Sequence, residues 1–124
     1  MEKKKKPPLK RSFGYAFAGI IACICRERNM KIHCCAAALV VLLGLLFGLS
    51  LPEWCSCLAF IALVISLELV NTALEAAVDL ATEEQKPLAK LAKDAAAGAV
   101  LIAAVLAAVA GALIFGPRVL CFFL

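Results

Sequence analysis

Residues 68–79 read Glu-Leu-Val-Asn-Thr-Ala-Leu-Glu-Ala-Ala-Val-Asp and close an apolar run that begins near Cys55. At 100° per residue, steps of three, four and four place Glu68, Asn71, Glu75 and Asp79 on one helical face. The run before them has the composition of a membrane span. A charge at the centre of such a helix costs roughly 2.5–3.5 kcal/mol on insertion scales. Several polar groups on one stripe therefore require a partner: a cation, a metal ion, or a polar substrate in a wet cleft. The stripe predicts both a membrane fold and the place where its chemistry sits.

The rest of the chain agrees. Of 124 residues, 65% are hydrophobic, supplied by Ala, Leu, Val and Ile rather than by aromatics. Mean hydropathy is +0.98. This is one small domain, too apolar for a soluble monomer. The net charge of +4 is concentrated in clusters. Such clusters beside apolar spans fit anionic headgroups better than nucleic acid, since no soluble domain presents them. No cleavable signal peptide is expected, because Pro7 and Pro8 follow the Lys3–Lys6 run. The seven cysteines include no C-x-x-C pair, and they read as small apolar packing residues rather than a metal site or disulfide framework.

Working outward from the stripe, residues 1–8 form a basic tail. Leu9, Phe13, Phe17, Ile20, Ile21 and Ile24 then fall at helical spacing, which predicts an amphipathic surface helix over 9–28. Spans are expected at 32–51, 55–73 and 95–115, each near the length a bilayer core needs. His33 falls at the edge of the first span and reads as an interfacial residue. Gly44 and Gly48 allow close helix contact. Residues 51–54 read as a turn, with Trp54 in an interfacial belt. The second helix is expected to run on to about Ala81. A charged connector covers 82–94, with Pro87 in the first turn of the next helix. Gly116-Pro117-Arg118 closes the last span, and an apolar tail follows. Twelve of the thirteen Lys and Arg lie in the tail, around the surface helix or in the connector. The positive-inside rule then puts the N-terminus and connector in the cytoplasm and the C-terminus outside. The fold class expected is all-α: a surface helix plus three transmembrane helices.

That topology gathers Glu27, Glu68, Asn71, Glu75, Asp79, Lys93 and Asp94 at one depth. Two carboxylates at an interface suit Mg²⁺, a hard cation that takes phosphates as co-ligands. A deeper, partly desolvated carboxylate such as Glu68 suits a general base. A Lys beside an Asp can neutralise phosphate charge. Clamping of charge with little covalent work is the logic of phosphoryl transfer, although no Walker loop or protein-kinase signature is present. Asp79, Glu83, Glu84, Lys86, Lys90 and Lys93 can equally be a solvated charged hairpin. A non-enzymatic transporter whose Glu68 binds a proton or cation is the reading from another class. It leaves the convergence of Glu27, Glu75, Lys93 and Asp94 unexplained.

The run 68–79, followed by Lys90-Leu-Ala-Lys-Asp-Ala-Ala-Ala-Gly-Ala-Val100, resembles the signature of the prokaryotic diacylglycerol kinase family, which includes the undecaprenol kinases of Gram-positive bacteria. The resemblance extends from about Ser12 to Leu113. It implies a homotrimer in the bacterial plasma membrane, with active sites shared between subunits on the cytoplasmic side. It also implies transfer of phosphate from MgATP to a lipid hydroxyl. By resemblance Glu68 is the base, Asn71 its polar neighbour on the substrate side, and Glu27 and Glu75 the metal and phosphate ligands. Tyr15, Asp79, Glu84, Gln85, Lys86, Lys93 and Asp94 are the nucleotide contacts. A family arginine near the start of the surface helix falls on Pro8, so Lys10 or Arg11 is expected to take its role toward the lipid. A substrate-side serine falls on Ala97. Loss of that hydroxyl, with the 27–33 and 87–90 runs, favours undecaprenol over diacylglycerol as acceptor.

Overall fold

The computed structural model describes residues 2–124, which form four helices: α1 (Leu9–Arg26), α2 (Arg28–Phe47), α3 (Leu51–Ala81) and α4 (Pro87–Phe123). Three of them, α2, α3 and α4, are long and apolar enough to cross a membrane. The fold class expected from the sequence is the one observed, all-helical with an N-terminal helix ahead of three potential spans. At 1.5 Å per residue α3 and α4 run about 46 and 55 Å, well beyond a hydrocarbon core of about 30 Å, so both protrude from it.

Three corners set the architecture. α1 breaks at Glu27, whose extended backbone (φ −97°, ψ 119°) serves both helices. Its N–H donates to the Cys23 carbonyl at 2.9 Å and its carbonyl accepts from Lys31 N–H at 3.2 Å. A single residue thus turns the chain from α1 into α2. At the other end of α2, Gly48 adopts a left-handed conformation (φ 65°). Gly48 and Leu49 both donate to the Gly44 carbonyl, at 3.0 and 3.2 Å. This is the helix stop that glycine permits without a Cβ penalty. The third corner is the short connector at 82–86, after which Pro87 opens α4, as the sequence suggests.

Helix ends differ from the sequence expectation in several places: α1 stops at Arg26 rather than 28, α2 covers Arg28–Phe47 rather than 32–51, and the connector expected over 82–94 shrinks to 82–86 because α4 already begins at Pro87. Residues 51–54 are not a turn but the first turn of α3, because Glu53 folds back onto Ser50. Its Oε1 accepts the Ser50 N–H at 3.1 Å and the Ser50 hydroxyl at 2.7 Å. Residues 116–118 do not close α4, which continues to Phe123 with Pro117 inside it. The guanidinium of Arg118 donates to the Ile114 carbonyl at 2.8 Å, next to the Leu113 carbonyl, which loses its helical donor to Pro117.

α3 is the central element. It packs along α4 most extensively, then against α2, and α1 touches α2 and α3. Leu49, Cys57 and Phe115 form a buried cluster with Val40, Leu43, Phe47, Trp54 and Ile114 against it. The Phe47 and Phe115 rings lie 6.3 Å apart. A Cβ at Gly44 would come within 2.6 Å of Trp54 Cη2, so the glycine is there to admit the indole. Leu45, Leu46, Leu101 and Ile102 remain more than 60% exposed. A surface this apolar is suited to lipid and to other protein chains rather than water. All seven cysteines are free thiols.

Candidate active site

The polar stripe of α3 is buried where it enters the apolar bundle. Glu68 is 2% exposed and Asn71 7%, and they are the buried polar residues of the described chain. Local sequence accounts for their placement. Glu68 and Asn71 are one turn apart, so both face inward with Val64, which precedes them on the same stripe. Thr72 lies beside them. Its hydroxyl donates to the Glu68 carbonyl at 3.0 Å and lies 3.3 Å from Cys23 Sγ, the polar contact that ties α1 to α3.

Among the described residues, two buried side-chain atoms have no hydrogen-bond partner: Glu68 Oε2 and Asn71 Oδ1. Burying such a group unpaired costs about 1–3 kcal/mol, and more when it is charged. Asn71 spends its amide on Glu75, with Nδ2 donating to Oε1 at 3.4 Å, which leaves its oxygen free. Glu68 Oε2 lies 3.6 Å from His33 Nε2 on α2. Glu27, at the α1–α2 corner, and Glu75 are both close enough to act on Glu68 by charge. Glu27 and Glu75 thus add negative charge around Glu68, with His33 the partner in salt-bridge range of it.

A cavity of about 280 Å³ opens on this group, lined by Asn29, His33, Glu68, Asn71, Ala97 and Leu101 among others. It meets an apolar groove of about 250 Å³ that runs between α2 and α4 over α3, past Val40, Ile61 and Val64 to Phe115. His33 and Ala104 line both. A molecule with one polar end and a long apolar body matches this pair of spaces.

Farther along α3, a third cavity of about 580 Å³ lies under the connector. It is lined by Asp79, Glu84, Gln85, Lys86, Lys90, Lys93 and Asp94. Lys93 donates to Asp79 across the α3–α4 corner, and Lys90 to Asp94 one turn along α4. Lys86 and Glu84 approach to 3.8 Å. The Asp79 hydrogen bond holds the Lys93 ammonium above the usual lysine range, and the charges of Asp79 and Glu75 add to it. Of the residues expected at a nucleotide site, Asp79, Glu84, Gln85, Lys86, Lys93 and Asp94 thus share one cavity. Lys10, Arg11 and Tyr15 do not join it. They are exposed on α1, and no hydrogen bond or ion pair among the described residues ties them to the cluster.

Three participants escape a reading by sequence alone. His33 reads as interfacial, yet lies against Glu68. Thr72 and Cys23 make a cross-helix contact that no periodicity reports. Among the described residues, no three His, Cys, Asp or Glu side chains gather closely enough to hold a metal ion unaided.

A family model described as prokaryotic diacylglycerol kinase matches residues 14–115. The chain is 47% identical over 108 residues to a protein of Bacillus subtilis named undecaprenol kinase, covering 87% of this chain and 88% of that protein. It is 40% identical over 115 residues to a protein of Synechocystis named diacylglycerol kinase, covering 92% of this chain but 66% of that one.

Proposed function

Because the chain belongs to the prokaryotic diacylglycerol kinase family, and is therefore a membrane-embedded kinase, we propose that it transfers the γ-phosphate of ATP to the hydroxyl of undecaprenol, giving undecaprenyl phosphate. The observation that carries this reading is the enclosed, unbonded Oε2 of Glu68 in a polar cavity that opens into an apolar groove. That is the environment a lipid alcohol needs: apolar along the chain and basic at the hydroxyl. Ala97 lines the polar cavity and offers no hydroxyl to a glycerol backbone, while a polyprenol has a single hydroxyl to place. The 47% identity to an undecaprenol kinase supports the same acceptor. The second reading, diacylglycerol as acceptor, is favoured by the 40% identity to a diacylglycerol kinase.

In this mechanism Glu68 takes the proton of the lipid hydroxyl as its oxygen attacks the γ-phosphorus. Asn71, held by Glu75, places an amide oxygen beside it. Lys93, paired with Asp79, supplies positive charge for the phosphates. Glu84, Gln85, Lys86 and Asp94 frame the nucleotide side; Lys10, Arg11 and Tyr15, exposed on α1 and outside these cavities, have no step in it.

Mg²⁺ fits the donor set. Glu27 and Glu75 both act on Glu68 by charge, and like charges near one another favour a counter-cation. Asn71 Oδ1 adds an unsatisfied oxygen. These hard oxygen donors suit Mg²⁺, with ATP phosphates completing the shell that two carboxylates cannot. When bound, the ion would neutralise phosphate charge. Lys93, Glu68 and Asn71 act as described around it.

We place the site on the cytoplasmic side of the bacterial plasma membrane, from the Lys and Arg distribution. A homotrimer would cover the apolar faces that this chain leaves exposed and let neighbouring subunits complete each site. The test is phosphate transfer from labelled ATP to a lipid panel in detergent micelles with Mg²⁺. Undecaprenol is expected to be phosphorylated fastest. Faster transfer to diacylglycerol moves the reading to the second acceptor, and no lipid-dependent transfer overturns it.

A further inference from the structure

We propose that His33 is the positioning residue of the catalytic base: its Nε2–H engages Glu68 Oε2 and leaves the other carboxylate oxygen to the lipid hydroxyl. The inference rests on the kinase reading above and goes beyond it by adding a residue on a different helix. Four observations carry it. Nε2 lies 3.6 Å from Oε2, within ion-pair range, and the Glu68 carboxylate is 2% exposed. Oε2 is enclosed and has no hydrogen bond. The other groups acting on Glu68 by charge, Glu27 and Glu75, are acidic and cannot donate to it. α4 faces the cavity with Ala97, Val100, Leu101 and Ala104, which carry no side-chain donor. Asn29 and Asn71 also bring amide donors to this cavity but make no hydrogen bond to Oε2, whereas His33 lies within ion-pair range of it.

Its position has a second consequence. His33 lines both the polar cavity and the apolar groove, so it stands where a lipid hydroxyl would leave hydrocarbon and enter the site. Such outer partners fix the orientation of a reacting group, much as partners of metal-bound ligands do.

The experiment measures His33→Leu, His33→Ala and His33→Gln in the full-length protein, with wild type and Glu68→Gln alongside. The leucine and alanine variants are expected to lose about tenfold or more in kcat, the lower range for removing an outer partner. Their KM for ATP is expected to stay within about twofold of wild type, because His33 lies outside the nucleotide cavity. His33→Gln retains an N–H near the position of Nε2 and is expected to recover most of the loss. The double variant His33→Leu with Glu68→Gln is expected to be no slower than Glu68→Gln alone, since His33 acts through the carboxylate. Wild-type transfer to lipid tests the kinase reading, and Glu68→Gln tests the base. The His33 series, expressed relative to these, tests the positioning. Near-wild-type kcat in both apolar variants, no recovery in His33→Gln, or additive losses in the double variant each overturn the proposal.

Discussion

α3 carries a carboxylate near each end of its apolar run, and the two live in opposite circumstances. Glu53 is met by four donors. Arg118 Nη1 and Nη2 reach its two oxygens at 2.6 and 2.7 Å, and Ser50 supplies its N–H and hydroxyl. Glu68 is more deeply enclosed, yet its Oε2 has no hydrogen bond at all. The closed pair joins the start of α3 to the end of α4, beside the Trp54–Gly44 and Phe47–Phe115 contacts, and keeps nothing free for a ligand. The open group holds nothing together. Its lack of partners makes sense when His33 and a substrate divide the two carboxylate oxygens between them. Within one helix, satisfied polarity marks the fastening and unsatisfied polarity marks the site.

The contrast is sharpest under substitution at the open end. Glu75→Gln preserves size and removes the charge offered to Mg²⁺. Turnover is expected to fall to that of wild type treated with a chelator, with oligomer size unchanged by light scattering. Near-normal activity in a Mg²⁺ titration would take Glu75 out of the metal site. Glu68→Gln is the next largest effect, a loss of about 10²–10⁴ in kcat, the usual contribution of a general base. ATP binding should change little. A proportional loss of ATP affinity would make Glu68 a binding residue, and the base would then be sought at Asp94 or Asp79.

The sequence makes the two ends unequally legible. The stripe at 68–79 could be read because its members share one helix, where spacing alone decides which residues face together. Helical class, the reach of α3 to Ala81 and the start of α4 at Pro87 follow from the same local rules. Contacts between helices do not. His33 and Glu68 are 35 positions apart, and no periodicity brings α2 against α3 at that height. Glu53 and Arg118 left a signal that could have been used, since they are the acid and the base of an otherwise uncharged end. Gly116-Pro117 reads as a stop because proline removes a backbone donor. The helix nevertheless continues to Phe123, and Arg118 just beyond the proline is anchored to Glu53, a contact visible in three dimensions only.

At the closed end the same kind of substitution should touch stability and spare chemistry. Gly44→Ala places a methyl 2.6 Å from the Trp54 ring, closer than atoms tolerate, so the indole must shift. Overpacking of this kind typically costs about 1–3 kcal/mol. The expected outcome is a lower thermal midpoint in detergent with kcat within about twofold of wild type. A large loss of kcat at unchanged midpoint would mean that the two ends are coupled and the division between fastening and site fails.

The smallest effect is a pH dependence of the fastening. Arg118 and Ser50 hold Glu53 down to a pKa of about 2, from an ordinary value of 4.5. A lowered carboxylate pKa means the folded state binds this proton less readily than the unfolded state does. Its stabilising contribution is therefore fully present above about pH 4.5. It declines as pH falls below that value and is gone once pH passes through about 2. Arg118→Leu removes the largest cause of the depression. The gap in thermal midpoint between wild type and Arg118→Leu should then stay flat from pH 8 to pH 5 and narrow only in more acid buffer. Both partners touch water, so the gap itself is expected to be small, as for most exposed ion pairs. A gap that instead varied across the neutral range would assign the contribution of Arg118 to some group other than Glu53, and the closed pair would lose its role as the counterpart of the open one.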